Sequence, residues 1–314
     1  MPRLIDTDTE DRIELGDLTE MLDSGHFDPE DEENFASWGP ALKKLGNNRS
    51  FLTDIVMDEL KARCRNQLGS NQYTPQVILL HNSRNNYLIR ANIWPAATDS
   101  AVRNSGTDIF FYNKAHDHNF SFLTVGYLGP GYWSEYYEYD YDSVAGYSGE
   151  PVELRYVEKS KLDPGKVMLY RIHQDVHLQL PADELSISLN ILQASAANHF
   201  LDQYQFDVEN RRVLGILTRT SIEPLLALST HYGGDEGMDL IESFAARHPS
   251  DSVRFEALKA RANAAGDLDA RIAVYEQAAR SNNPFVSRMA AMQAAKLERG
   301  RAWIDNPPAL RTAA

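Results

Sequence analysis

His116-Asp117-His118-Asn119-Phe120-Ser121-Phe122-Leu123-Thr124-Val125-Gly126-Tyr127-Leu128 opens with two histidines one residue apart and runs on as an apolar, aromatic stretch of strand type. Side chains on a strand alternate between faces. His116 and His118 therefore point the same way, and Asp117 points away from them, toward the surface or a turn. Two imidazoles on one face can bind one metal ion. The spacing alone does not choose between zinc, copper, iron and nickel.

Further along, Leu162-Asp163-Pro164-Gly165 is a turn signal, because proline presets φ and glycine tolerates positive φ. After it, Val167-Met168-Leu169-Tyr170-Arg171-Ile172 reads as a strand, followed by His173 and His177. Leu185-Ser186-Ile187-Ser188-Leu189-Asn190-Ile191 alternates apolar with polar and reads as a half-buried strand. Upstream, Tyr87 to Trp94 is another strand candidate and carries Arg90. Tyrosines crowd the stretch from Tyr127 to Tyr147 around Gly129-Pro130-Gly131, which reads as a hairpin whose aromatics fill a core. Tyr132 follows that turn and is the phenol placed to orient a substrate or donate a proton. Glu135, Glu138, Asp140 and Asp142 interleave with the aromatics as a solvated face.

This order of strand, paired histidines, Pro-Gly turn and later histidine resembles the cupin superfamily. Within it, the chain is most similar to the cysteine dioxygenase-like group of three-histidine thiol dioxygenases. The resemblance covers residues 77 to 195. It implies an α+β chain with a central antiparallel cupin-type β-barrel, and helical segments lie before and after it. It implies Fe(II), or another divalent transition metal, held by His116, His118 and His177. The usual cupin glutamate is missing, since Phe122 and Leu123 stand four and five residues after His118. Leu123 also stands where some thiol dioxygenases carry a cysteine, and the only cysteine, Cys64, lies elsewhere. Arg90 is the candidate for the arginine that grips a substrate carboxylate. Asn190, with Ser188 two before it, falls near the place of a histidine found in some members. His173 shares a face with His177 if the strand continues, which puts it beside the ligands or the substrate.

Physically, a small barrel closes its own edges and encloses a pocket. Ser186, Ser188 and Asn190 would put hydrogen-bonding groups inside it. Three neutral imidazoles leave a bound ion more positive than a set with a carboxylate would, which favours an anionic donor such as a thiolate, carboxylate or enolate.

The 314 residues carry a net charge of −14, which argues against nonspecific nucleic-acid binding. No apolar run has membrane length. The N-terminus soon turns acidic, unlike a signal peptide, and one cysteine fits a reducing, cytoplasmic setting. Three regions follow: a helical segment over 1–76, the metal-bearing barrel over 77–205, and a helical region over 206–314. In the last, the stretches from His248 and Asn283 look like related helix starts of HEAT type, a surface for partners or a homodimer. The expected function is a non-haem Fe(II) oxygenase that takes O2 and a small anionic, amino-acid-like or thiol-bearing substrate. The alternative is a non-catalytic cupin binding or regulatory protein with helical partner-binding arms.

Overall fold

The computed structural model describes residues 2–71, 73–74, 76–83 and 86–305; residues 306–314 of the expected C-terminal region lie outside them. In chain order the first elements are β1 (Arg3–Ile5), α1 (Leu15–Ser24), α2 (Glu32–Ser37), α3 (Gly39–Asn47), α4 (Phe51–Lys61) and α5 (Arg65–Ser70). The strand-rich middle holds β2 (Val77–Asn82), β3 (Tyr87–Trp94), α6 (Ser100–Ser105), β4 (Ala115–His116), β5 (Phe122–Leu128) and β6 (Trp133–Glu138). It continues with β7 (Arg155–Lys161), β8 (Val167–Tyr170), β9 (Asp175–Gln179), β10 (Ser186–Gln193), β11 (Tyr204–Asp207) and β12 (Arg212–Ile216). Helices α7 (Ile222–Tyr232), α8 (Gly234–Arg247), α9 (Asp251–Asn263), α10 (Leu268–Ala278) and α11 (Pro284–Asp305) complete the chain. Two compact units result. One is Met1–Ser143, Pro151–Asn198 and Gln203–Arg212; the other is Val144–Glu150, His199–Asp202 and Val213–Ala314.

The first unit is α+β. Its strands hydrogen-bond in two antiparallel sheets, one in the order β1-β8-β5-β10-β3-β2 and one in the order β11-β4-β9-β6-β7. The single closed barrel expected from the sequence is not what the ladders form: among the described residues neither sheet closes on itself. The chain leaves β4 at His116 and enters β5 of the other sheet at Phe122, so residues 117–121 cross between the sheets instead of extending a ladder.

The first sheet is buried on both faces, which corrects the reading of residues 185–191 as half-buried. Odd-numbered residues of β3, β5, β8 and β10, among them Ile89, Val125, Leu169 and Leu189, pack with Leu18, Leu22, Phe35, Leu42 and Leu45 of α1 to α3. Fully burying one such side chain contributes roughly 1.5–3 kcal/mol. Even-numbered residues, among them Trp94, Phe122, Met168, Tyr170 and Leu192, meet Tyr132 and Tyr136 from the other sheet. Ser186, Ser188 and Asn190 lie on that inner face, each at most 2% exposed. The polar residues of the alternation thus face the space between two sheets, not solvent.

The Pro-Gly turn locks the first sheet at its centre. Gly126 N–H donates to Lys166 O and Gly165 N–H to Gly126 O at 2.7 Å. Gly165 has φ +84°, in the region glycine adopts without strain. A Cβ on Gly126 would collide with the Asp163 carbonyl.

In the second unit α8 to α11 pack around Phe255, Leu258, Tyr275, Phe285, Val286 and Ala290, and Leu226 of α7 packs with Ile241, Val253 and Ala257. Helices α9, α10 and α11 are capped by side chains at their starts: Ser250 accepts from Val253 N–H, Asp267 from Ala270 N–H and Asn283 from Val286 N–H. Asn283 Nδ2 also donates to Asp251 at 2.7 Å, which ties together the two related helix starts. Among the described residues no helix is long and apolar enough to cross a membrane.

Candidate metal centre

His116 ends β4 and stands directly across the ladder from His177 of β9. Opposed residues on neighbouring strands bring their side chains close, and this pair has ring centroids 4.4 Å apart. His118 is not on a strand, as the spacing had suggested, but on the crossing segment. It still swings its ring to within 5.0 Å of both others. His177 Nε2 lies 3.0 Å from His118 Nε2 and 3.1 Å from His116 Nε2. All three rings are at most 8% exposed.

This donor set fits a cation. Burial lowers all three pKa values, that of His116 to about 4, so the rings are neutral. His116 Nδ1 lies 2.8 Å from the Lys114 carbonyl; it donates there, which leaves its Nε2 a bare lone pair. A proton on His177 Nε2 could bridge to one neighbour only, and the other contact would set lone pair against lone pair. An ion between the three removes that conflict. Nitrogens about 2.1 Å from one ion stand about 3.0 Å apart at right angles and about 3.4 Å apart at the tetrahedral angle. The two observed separations, from His177 to each of its neighbours, match ligands set at right angles about one ion. The three histidines can therefore hold a divalent metal ion.

Among the described residues no carboxylate joins them. Phe122 occupies the place where a cupin glutamate would be sought, edge-on to His118 at 4.9 Å. Glu135 pairs with Lys159 and Glu138 with Arg171, away from the histidines.

The histidines open into a cavity of about 220 Å³. Arg90, Tyr132 and Asn190, all singled out in the sequence, line it with them. Arg90 and Asn190 are cross-strand partners on the first sheet, facing the histidine wall of the second. The Arg90 guanidinium stacks on Tyr73 at 5.0 Å, forms none of the ion pairs found among the described residues, and its buried Nε has no hydrogen-bond partner. Among the described residues no Asp or Glu lines the cavity. Tyr132 packs on Trp94 at 4.5 Å, and burial pushes its phenol pKa up, so it stays protonated. Ser188 accepts from Trp94 Nε1 at 3.0 Å; it positions that ring and does not line the cavity. His173 is outside the histidine cluster. It sits at φ +56° and stacks on Tyr141 at 3.7 Å.

Several lining residues escaped the sequence reading. Gln76, Asn92 and Gln179 are each at most 8% exposed and each has a buried amide atom without a hydrogen-bond partner, as does Asn190. Tyr170 lies edge-on to His177 at 4.9 Å and meets the Tyr136 hydroxyl at 3.0 Å. Period two would have found some of them: Asn92 follows Arg90 by two, and Gln179 follows His177 by two. Asp117 was misplaced. It is fully buried, not at the surface.

No protein-family model matches the chain, and no curated protein does. Among solved structures, the chain is similar to the DMSP lyase DddQ from Ruegeria pomeroyi, at 10% identity over 38% of this chain and 47% of the lyase, TM-score 0.24. The chain thus spans under half the length of that relative. It is also similar to hydroquinone 1,2-dioxygenase from a Sphingomonas species, at 10% identity over 41% of this chain and 72% of that one, TM-score 0.27. A cupin-like protein from Thermotoga maritima matches at 12% identity over 39% and 69%, TM-score 0.21. Likenesses of this size assign neither a reaction nor a ligand to this chain.

Proposed function

We propose that the chain is a cupin-type, metal-dependent oxygenase acting on a small anionic substrate, with His116, His118 and His177 as its metal ligands. The observation that carries the reading is the set of three neutral imidazoles, with the Nε2 atoms of His116 and His118 3.0–3.1 Å from that of His177, in a cavity lined by an arginine and, among the described residues, by no acid. Fe(II), or another divalent transition metal, would supply Lewis acidity and, in the case of iron, electrons for O2 chemistry. The chain's own residues do the rest. Arg90 offers the anion a guanidinium with no acid competing for it. Asn190 beside it, with Asn92, Gln76 and Gln179, supplies hydrogen bonds that no protein group now takes. Trp94, Phe120, Phe122 and Tyr170 exclude water from the rest of the wall. Tyr132 keeps its proton and can donate it. The cavity volume is below the roughly 300–1,000 Å³ of pockets for drug-sized ligands, which supports a small metabolite, amino-acid-like or thiol-bearing.

The test is the metal content of untagged protein beside His116→Ala and His177→Ala, followed by oxygen uptake with thiols and amino acids. About one iron per chain, lost in both variants, with substrate-dependent uptake, is the expected result. A second reading is a non-catalytic cupin-type binder whose helical unit engages a partner or a second copy. The separate helical unit, with Leu225, Leu228 and Tyr232 exposed on α7, favours it. Metal without oxygen uptake on any small anion would select that reading; no metal in the wild type would sink the histidine metal site and move the reading to the binder.

A further inference from the structure

We infer that Asp117 is the positioning residue of the histidine site, holding the crossing segment so that His116 and His118 converge and placing a fixed negative charge behind them. The inference rests on the metal reading of those histidines. Asp117 lies between two of them in the chain, and its side chain is turned away from the cavity. A residue turned away from a binding face usually meets solvent, yet this one is 0% exposed.

Its two oxygens are both engaged as acceptors. Oδ2 accepts the Tyr139 hydroxyl at 2.6 Å, and Oδ1 accepts the Tyr204 backbone N–H at 2.6 Å. Acceptance at both oxygens, at lengths typical of hydrogen bonds to ionised oxygen, is the pattern a carboxylate makes. The backbone of Asp117 is pinned as well. Its N–H donates to Tyr204 O at 3.2 Å, and its C=O accepts Gln203 Nε2 at 2.7 Å. Four hydrogen bonds thus fix one residue to Tyr139 and to the chain at Gln203 and Tyr204. They do so at the point where the chain leaves one sheet for the other, and where a free loop would let His118 swing out of reach of His177. Gln203 itself reaches the cavity, so the clamp joins the cavity wall.

The charge matters as much as the clamp. The cavity brings together neutral imidazoles and an arginine with no acid among the lining residues. A divalent ion there adds two positive charges to a water-poor space. A carboxylate one residue from two ligands is the nearest counter-charge along the chain.

The experiment is cobalt(II) binding to apoprotein, followed by its visible absorption and by competition with a chelator, for wild type, Asp117→Asn and Tyr139→Phe. Thermal melting of each apoprotein is measured in parallel. Asp117→Asn keeps the shape and removes the charge. Its expected cobalt affinity is 10- to 100-fold weaker, the size typical of lost outer partners in metal sites, with an altered absorption band. Tyr139→Phe keeps the charge, frees one oxygen, and is expected to weaken binding several-fold. Should Asp117→Asn fail to fold, the Tyr139→Phe result decides. Wild-type affinity and an unchanged band in the variants that fold would overturn the inference while leaving the histidine site intact. No cobalt binding by the wild type would overturn the metal reading, and this inference with it.

Discussion

His177 is the hinge of the site at the scale of single residues, because its Nε2 is the atom that both other histidines approach. His177→Ala should drop bound metal from about one per chain to near zero, read by elemental analysis, while the circular dichroism spectrum stays native. Arg90→Ala should leave metal content unchanged and weaken binding of an anionic ligand by at least about tenfold, since a hydrogen bond to a charged group is worth about 1.5–3 kcal/mol. Calorimetric titration of the metal-loaded variant checks it, and equal affinity would remove Arg90 from the ligand's path. These residues were legible for different reasons. The His-x-His spacing carries information in itself, while the distance from the Pro-Gly turn to His177 gained meaning through family resemblance. Arg90 stood out only through family resemblance. Gln76 and Gln179 carry no such mark, because a carboxamide looks alike on a cavity wall and on a surface. Asp117 was misread because period two was applied one residue too far: the strand stops at His116, and beyond it burial no longer follows alternation.

Among the elements, β10 was visible because apolar and polar residues alternate from Leu185 to Ile191, and β3 because eight mostly apolar residues run from Tyr87 to Trp94. β1 was not, since three residues at a sheet edge are too short to show a period. The start of β5 was set too early because Asn119-Phe120-Ser121 looks like strand and is in fact the crossing between sheets. Where β5 passes beneath the Pro-Gly turn, Gly126→Ala should destabilise by about 1–3 kcal/mol or more, because the added methyl meets a fixed carbonyl and not a side chain that can turn. Urea unfolding measures it. In the helical unit, Asp202 is held by Ser252 at 2.9 Å, and burial raises its pKa from 3.8 to about 6. Between those values the folded chain keeps a proton that the unfolded chain has released, so this group's contribution falls as pH rises from 3.8 to 6 and stays low above. Asp202→Asn should therefore stabilise by about 1–2 kcal/mol at pH 7.5, discounted for partial exposure, and hardly at all at pH 4. Unfolding at both pH values decides it; equal gains would mean that charge is not the cause.

For the molecule as a whole, the division into two units gives ligand and mutation separate addresses. A metal that binds only the folded histidine site, at a thousand times its dissociation constant, adds about 4 kcal/mol to the unit that contains it. Differential scanning calorimetry should show that addition as a raised transition in metal-loaded protein. Asp202→Asn should not reproduce it in the metal-free chain if the helical unit unfolds by itself. The fold class was legible at this scale because helical and strand periods segregate along the chain. The opening of the barrel into two sheets was not, because sheet closure is a matter of hydrogen bonding between distant segments that no local pattern records. The sheet with two buried faces has a last consequence, for anyone who would change what this protein accepts. On β3, β5, β8 and β10, the parity of the residue number separates two vocabularies. Libraries restricted to the even positions would rewrite the chamber and spare the helical packing, while a single inserted residue in any of these strands would exchange the two texts and spoil both.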